Sequence, residues 1–212
     1  MGQNAESQDW ADLNKYLSQN ASIQPLKPGQ KRIVFMGDSI TEFWSTINPD
    51  FFVAKPYINR GISGQTSPQM LIRFKSDVIS LKPNLVVILA GTNDIAGNTG
   101  TSTLEMITNN IFSMAELAKT HGILVILCSV LPVYDYPWRT GLQPAEKIVT
   151  LNKSIKKYAE QNNCLYLDYY SAMVNENKGM NSAYADDGVH PNILGYEVMA
   201  TLAEKAIQLV LN

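Results

Sequence analysis

The chain has 212 residues, 17 Lys and Arg against 19 Asp and Glu for a formal net charge of -2, and 45% hydrophobic residues. That length suits one domain with a sizeable core, the charge balance lacks the basic excess of a nucleic-acid binder, and the apolar content excludes intrinsic disorder. Two cysteines, Cys128 and Cys164, and two histidines, His121 and His190, are too few for the usual structural zinc cluster or for a disulfide-rich scaffold.

The start, Met1-Gly2-Gln3-Asn4-Ala5-Glu6-Ser7, is polar and has no basic-then-apolar signal pattern, which leaves the compartment open. A helix is expected over Asp9–Leu17, followed by a lead-in with two prolines at 24–30. Residues 1–30 are read as this helix and lead-in, and residues 31–212 as a single domain. Apolar runs at Ile33–Met36, Leu85–Ala90, Ile123–Leu127 and Leu165–Leu167, with a weaker one at Tyr57–Asn59, are nearly continuous rather than alternating. Strands buried on both faces of a parallel sheet read this way. No apolar run approaches the roughly 18 residues of a membrane helix. Cys128 and Cys164 each sit in an apolar run and are read as free thiols, small hydrophobes in effect.

Helical periodicity lies between the strands. Ser67–Phe74 forms a short helix. Leu104, Ile107, Ile111, Met114 and Ala118 recur at three and four, with Ser102 and Glu105 spaced as a capping box. Ile148, Leu151, Ile155 and Tyr158 repeat the pattern, as do Met199, Leu202, Ala206 and Val210. Strand followed by helix, several times over, implies an α/β fold with a parallel sheet covered on both faces.

In such sheets, sites form beyond the carboxyl ends of the strands. Gly37-Asp38-Ser39-Ile40-Thr41 follows the first strand, Gly61-Ile62-Ser63-Gly64 the second and Gly91-Thr92-Asn93-Asp94 the third. The fourth leads to an aromatic loop, Tyr134-Asp135-Tyr136-Pro137-Trp138, and the fifth to Asp186-Asp187-Gly188-Val189-His190-Pro191. Ser39 reads as a nucleophile in need of a base, or as a helix cap. His190 reads as that base, with Asp187 three residues earlier to hold its tautomer, or as a loop histidine. Asp186 is the weaker partner, because adjacent side chains diverge. His121 falls at a helix end, at the other edge of the sheet. Gly61, through its N–H, and Asn93, through its amide, are candidate oxyanion donors, or simply turn residues. Neither G-x-x-x-x-G-K-[ST] nor G-x-G-x-x-G is present, which counts against a nucleotide site.

Together these blocks resemble the SGNH hydrolases, also called the GDSL-like lipase/esterase family. The resemblance runs from Gly37 to Pro191, with Ile40 where the family name has leucine. It implies a three-layer α/β/α sandwich, flavodoxin-like, with a five-stranded parallel sheet. It implies Ser39, Asp187 and His190 as the catalytic triad, an oxyanion hole of Ser39, Gly61 and Asn93, and no metal or organic cofactor. The Gly-Thr-Asn-Asp block looks most like the branch of platelet-activating-factor acetylhydrolase-like esterases and carbohydrate acetylesterases. The expected partner is therefore a small-molecule or carbohydrate ester, with acetyl or another short acyl group foremost. The alternatives are a lysophospholipase or thioesterase for longer chains and an inactive binding protein on the same scaffold. Tyr134, Tyr136 and Trp138 either stack on a sugar, wall an acyl pocket, or pack the loop. Oligomeric state stays open.

Overall fold

The computed structural model describes residues 9–53 and 55–212. The start at 1–8 lies outside these residues. Five strands, β1 (Ile33–Gly37), β2 (Tyr57–Gly61), β3 (Leu85–Ile88), β4 (Leu124–Cys128) and β5 (Leu165–Leu167), form one sheet of order β2-β1-β3-β4-β5. Every pairing is parallel, with Ile33 beside Tyr57 on one side and Leu85 on the other. The helices are α1 (Leu17–Ser22), α2 (Ser39–Ile47), α3 (Ser67–Asp77), α4 (Thr92–Ala96), α5 (Leu104–Thr120), α6 (Pro144–Gln161), α7 (Tyr170–Met173) and α8 (Ile193–Leu211). This is the expected three-layer α/β/α fold.

The apolar runs are continuous because each strand is packed on both faces. Val34, Met36, Val86, Ile88, Val125 and Leu127 point to one layer, meeting Met70 and Phe74 of α3, Ile107 and Ile111 of α5, and Ile148 and Leu151 of α6. Their neighbours Ile33, Phe35, Leu85, Val87 and Ile126 point to the other, meeting Ile40 and Trp44 of α2 and Tyr196, Met199 and Ala203 of α8. Adjacent strand residues serve opposite layers, as the two-residue strand period requires. Cys128 is buried and Cys164 half-buried, both free thiols.

Two local expectations are corrected. The first turns at 9–16 are not helical, and α1 begins only at Leu17. Asp9 accepts the Asn14 N–H through its side chain, and Asp12 takes a positive φ of 52°. Side-chain capture of a nearby backbone N–H is the ordinary competitor of a helix. The segment is nevertheless tied to the domain. The Tyr16 hydroxyl donates to the Gly61 carbonyl, and Gln65 and Gln69 donate to the carbonyls of Ala11 and Trp10. The second correction concerns α5, which is capped by Thr103, accepting from the Met106 N–H, and not by a Ser102–Glu105 box. A capping box does occur, between Thr66 and Gln69 at the start of α3.

The sheet order places a switch point between β1 and β3. From β1 the chain goes out to β2, then returns past β1 to β3 and continues the other way. The crevice beyond such a point is where ligands bind in open parallel sheets. Ser39 follows β1 directly, and Asn93 follows β3.

Candidate active site

Ser39 is the first residue of α2, and Asp38 caps that helix by accepting the Ile40 N–H at 3.0 Å. The helix reading and the nucleophile reading of Ser39 thus coexist, with Asp38 as the cap. Ser39 is 6% exposed. Its Oγ lies 2.9 Å from Nε2 of His190. The other ring nitrogen of His190, Nδ1, lies 2.7 Å from Oδ2 of Asp187. Asp187 Oδ1 accepts the N–H groups of Val189 and His190 at 2.8 and 2.7 Å. Gly188, with φ +76°, makes this turn possible. Burial alone would raise the Asp187 carboxyl, but the hydrogen bonds from His190 and Val189 outweigh it and hold it below the ordinary carboxylate range. An ionised carboxylate only accepts, so Nδ1 carries the ring hydrogen and the neutral ring turns its Nε2 lone pair to Ser39.

The other candidates fall elsewhere. Asp186 accepts from Asn192 at 3.4 Å and does not meet the imidazole. His121 is exposed at the carboxyl end of α5, with Nδ1 2.8 Å from the Leu117 carbonyl, just ahead of β4 and so at the opposite edge of the sheet. Gly61 differs from expectation. Its N–H donates to Asn59 Oδ1 at 2.8 Å. A Cβ there would stand 2.1 Å from the Glu42 nitrogen and 2.7 Å from the Asp38 carbonyl oxygen. The absent side chain lets the first turn of α2 lie on β2. Gly61 is a packing residue whose N–H is taken.

Gly64, three residues on, has φ +77°, a conformation L side chains rarely adopt. Among the described residues its N–H has no hydrogen-bond partner, while Ser63 beside it is held by Glu42 of α2 through both its N–H and its hydroxyl, at 2.7 and 2.6 Å. Asn93 is buried in α4. Its Nδ2 donates to the Gln65 carbonyl at 3.0 Å, and its Oδ1 accepts from Asn98 at 3.0 Å. One hydrogen of that amide is left over. Asp94 accepts the N–H and hydroxyl of Ser67 and so fastens the start of α3 to α4. Burial raises its carboxyl, and the Ser67 bonds oppose the rise.

Burial also pushes the Asp38 carboxyl up to about 7, against the hydrogen bond from the Ile40 N–H, which pulls it down. The three loop aromatics separate. Trp138 lies 5.9 Å from the His190 ring and Phe43 5.4 Å, both partly exposed. Tyr136 is fully buried and bonds Thr92 through its hydroxyl, at 2.8 Å to the carbonyl oxygen. Tyr134 is 66% exposed. Among the described residues no group of three or more His, Cys, Asp or Glu could hold a metal ion, and no helix is long and apolar enough to cross a membrane.

Residues 35–198 match the GDSL-like Lipase/Acylhydrolase family. The chain belongs to that family, whose members include ester hydrolases. It is similar to the crystal structure of a GDSL-like lipase from Bacteroides thetaiotaomicron, with 49% identity, 95% of this chain and 99% of that one covered, and a TM-score of 0.92. It is 27% identical to an acetylxylan esterase of Geobacillus stearothermophilus over 157 residues, 68% of each protein. A lipoprotein of Bacillus subtilis is 35% identical over 82 residues, 37% of this chain and 33% of that protein. The match thus spans about a third of that lipoprotein's length.

Proposed function

We propose that the chain is a serine esterase acting on acetyl or other short-acyl esters of carbohydrates, with residues 31–212 as its catalytic unit. The observation that carries this reading is the line of hydrogen bonds from Ser39 through His190 to Asp187, at 2.9 and 2.7 Å. His190 Nε2 accepts the Ser39 proton as Oγ attacks the ester carbonyl carbon. The carbonyl oxygen gathers negative charge and takes donation from the Ser39 N–H, the Gly64 N–H and the free hydrogen of Asn93 Nδ2. Gly64 replaces Gly61 in this role because the Gly61 N–H is engaged by Asn59. His190 then passes its proton to the departing alcohol. Water repeats the sequence on the acyl-Ser39 ester, giving acid and free serine. Asp187 stays ionised and steadies the imidazolium at both stages.

The substrate class draws support from two sources. One is the acetylxylan esterase among the chain's relatives. The other is the pair of half-open rings, Phe43 and Trp138, whose centroids lie 5.4 and 5.9 Å from that of His190. Flat apolar ring faces suit the C–H face of a pyranose. In a series of p-nitrophenyl esters, kcat/KM is expected to be highest for acetyl and to fall about tenfold or more by octanoyl, with acetate released from acetylated xylo-oligosaccharides. A maximum at palmitoyl would instead assign the chain to lysophospholipase or thioesterase chemistry.

A further inference from the structure

Gly64 and Asn93 come from separate turns, after β2 and after β3, and strand pairing alone does not set how their donors face each other. Asn98 joins the two. Its Nδ2 donates to the Gly64 carbonyl at 3.1 Å and to Asn93 Oδ1 at 3.0 Å. A carbonyl only accepts, so the Gly64 bond decides which end of the Asn98 amide is nitrogen. That in turn decides the Asn93 amide. With Oδ1 taken by Asn98 and one hydrogen of Nδ2 on the Gln65 carbonyl, Asn93 cannot reverse, and its remaining hydrogen has a set direction.

Asn98 is itself fixed. Its N–H donates to the Asn93 carbonyl at 3.0 Å. Arg139 Nη1 reaches in from the aromatic loop and donates to the carbonyls of Ala96 and Gly97 at 2.8 and 2.7 Å. Gly97 permits this with φ +73°, and a Cβ there would stand 2.8 Å from that nitrogen. Asn98 is exposed, so these bonds and not core packing hold its side chain.

We propose that Asn98 is a positioning residue, which aligns the Gly64 and Asn93 donors for the oxyanion without touching substrate. The proposal rests on the esterase reading above. Because Asn98 is exposed, its replacement opens no cavity. Asn98→Asp keeps the size and turns oxygens toward both the Gly64 carbonyl and Asn93 Oδ1, which releases the Asn93 amide to flip. Asn98→Ala removes both bonds.

Both variants should be assayed with p-nitrophenyl acetate beside wild type and Ser39→Ala. Expected is a fall in kcat of about tenfold or more, part of what losing a whole donor costs, with KM within about twofold. The acid limb of kcat should be unmoved, since Asn98 contacts neither His190 nor Asp187, and Tm should stay within about 5 °C. Unchanged kcat in both variants, a loss confined to KM, or a larger Tm fall in both would overturn the proposal while the wild type and Ser39→Ala pair still upheld the esterase reading. An inactive wild type, or an active Ser39→Ala, would sink that reading and this proposal with it.

Discussion

His190→Ala is expected to lower kcat for acetyl-ester hydrolysis by on the order of 10⁴-fold, while His121→Ala leaves it within about twofold. The two imidazoles are the only ones in the chain. One stands 2.9 Å from Ser39 Oγ and the other caps a helix end at the far edge of the sheet. Without His190 no group takes the serine proton, and Ser39 remains a neutral alcohol. In the wild type, activity should fall on the acid side of its pH profile. Asp187 does not add to that limb, because its carboxyl is held below the ordinary range and stays ionised. The same lowered value makes Asp187 favour the fold above the unfolded carboxylate pKa of about 3.9, a contribution lost as pH falls through its folded value. Steady-state kinetics of both variants across pH 4–9 measures this, and equal losses in the two would overturn the assignment.

Arg73→Met is expected to destabilise the protein by about 3–5 kcal/mol, a Tm fall of roughly 6–20 °C for a chain of this size. Arg73 is fully buried in α3. Its guanidinium donates to Asp77 Oδ2 at 3.0 Å, to the Gly37 carbonyl at 2.9 Å and to Gln65 Oε1 at 2.5 Å. It therefore links α3, the end of β1 just before Ser39, and the segment after Gly64. Removing it leaves Asp77 buried, and among the described residues its remaining side-chain hydrogen-bond partner is the Asn20 amide, at 2.7 Å. The cost is that of an uncompensated carboxylate, so pairing Arg73→Met with Asp77→Leu should recover most of the loss. Chemical denaturation of the two single variants and the double closes the cycle. A single variant as stable as wild type would show that the pair is not structural.

The strands were legible because burial on both faces leaves continuous apolar runs, and the site because Ser39 and Asn93 closely follow β1 and β3 while Asp187 and His190 stand three apart just ahead of α8. Helix α2 was less so. Ser39 to Ile47 is rich in β-branched and aromatic residues, poor helix formers, and it is the burial of Ile40 and Trp44 against β1 and α8 that makes it helical. Gly61 and Gly64 stand in one short block, and nothing in their spacing says that the Asn59 side chain folds back onto one N–H and leaves the other open. The fall of Tyr136 into the core, while Trp138 turns to His190, depends on the Thr92 partner 44 residues away. Arg73 and Asn98 join segments that meet only in the folded chain, so neither had a local signature.

The central claim is that Ser39 is the activated nucleophile. Labelling with a fluorophosphonate, followed by peptide mass spectrometry, tests it most directly. The account predicts one adduct, on Ser39, formed by wild type and absent from Ser39→Ala and His190→Ala. An adduct on another residue, or unreactive Ser39 in folded wild-type protein, would contradict it.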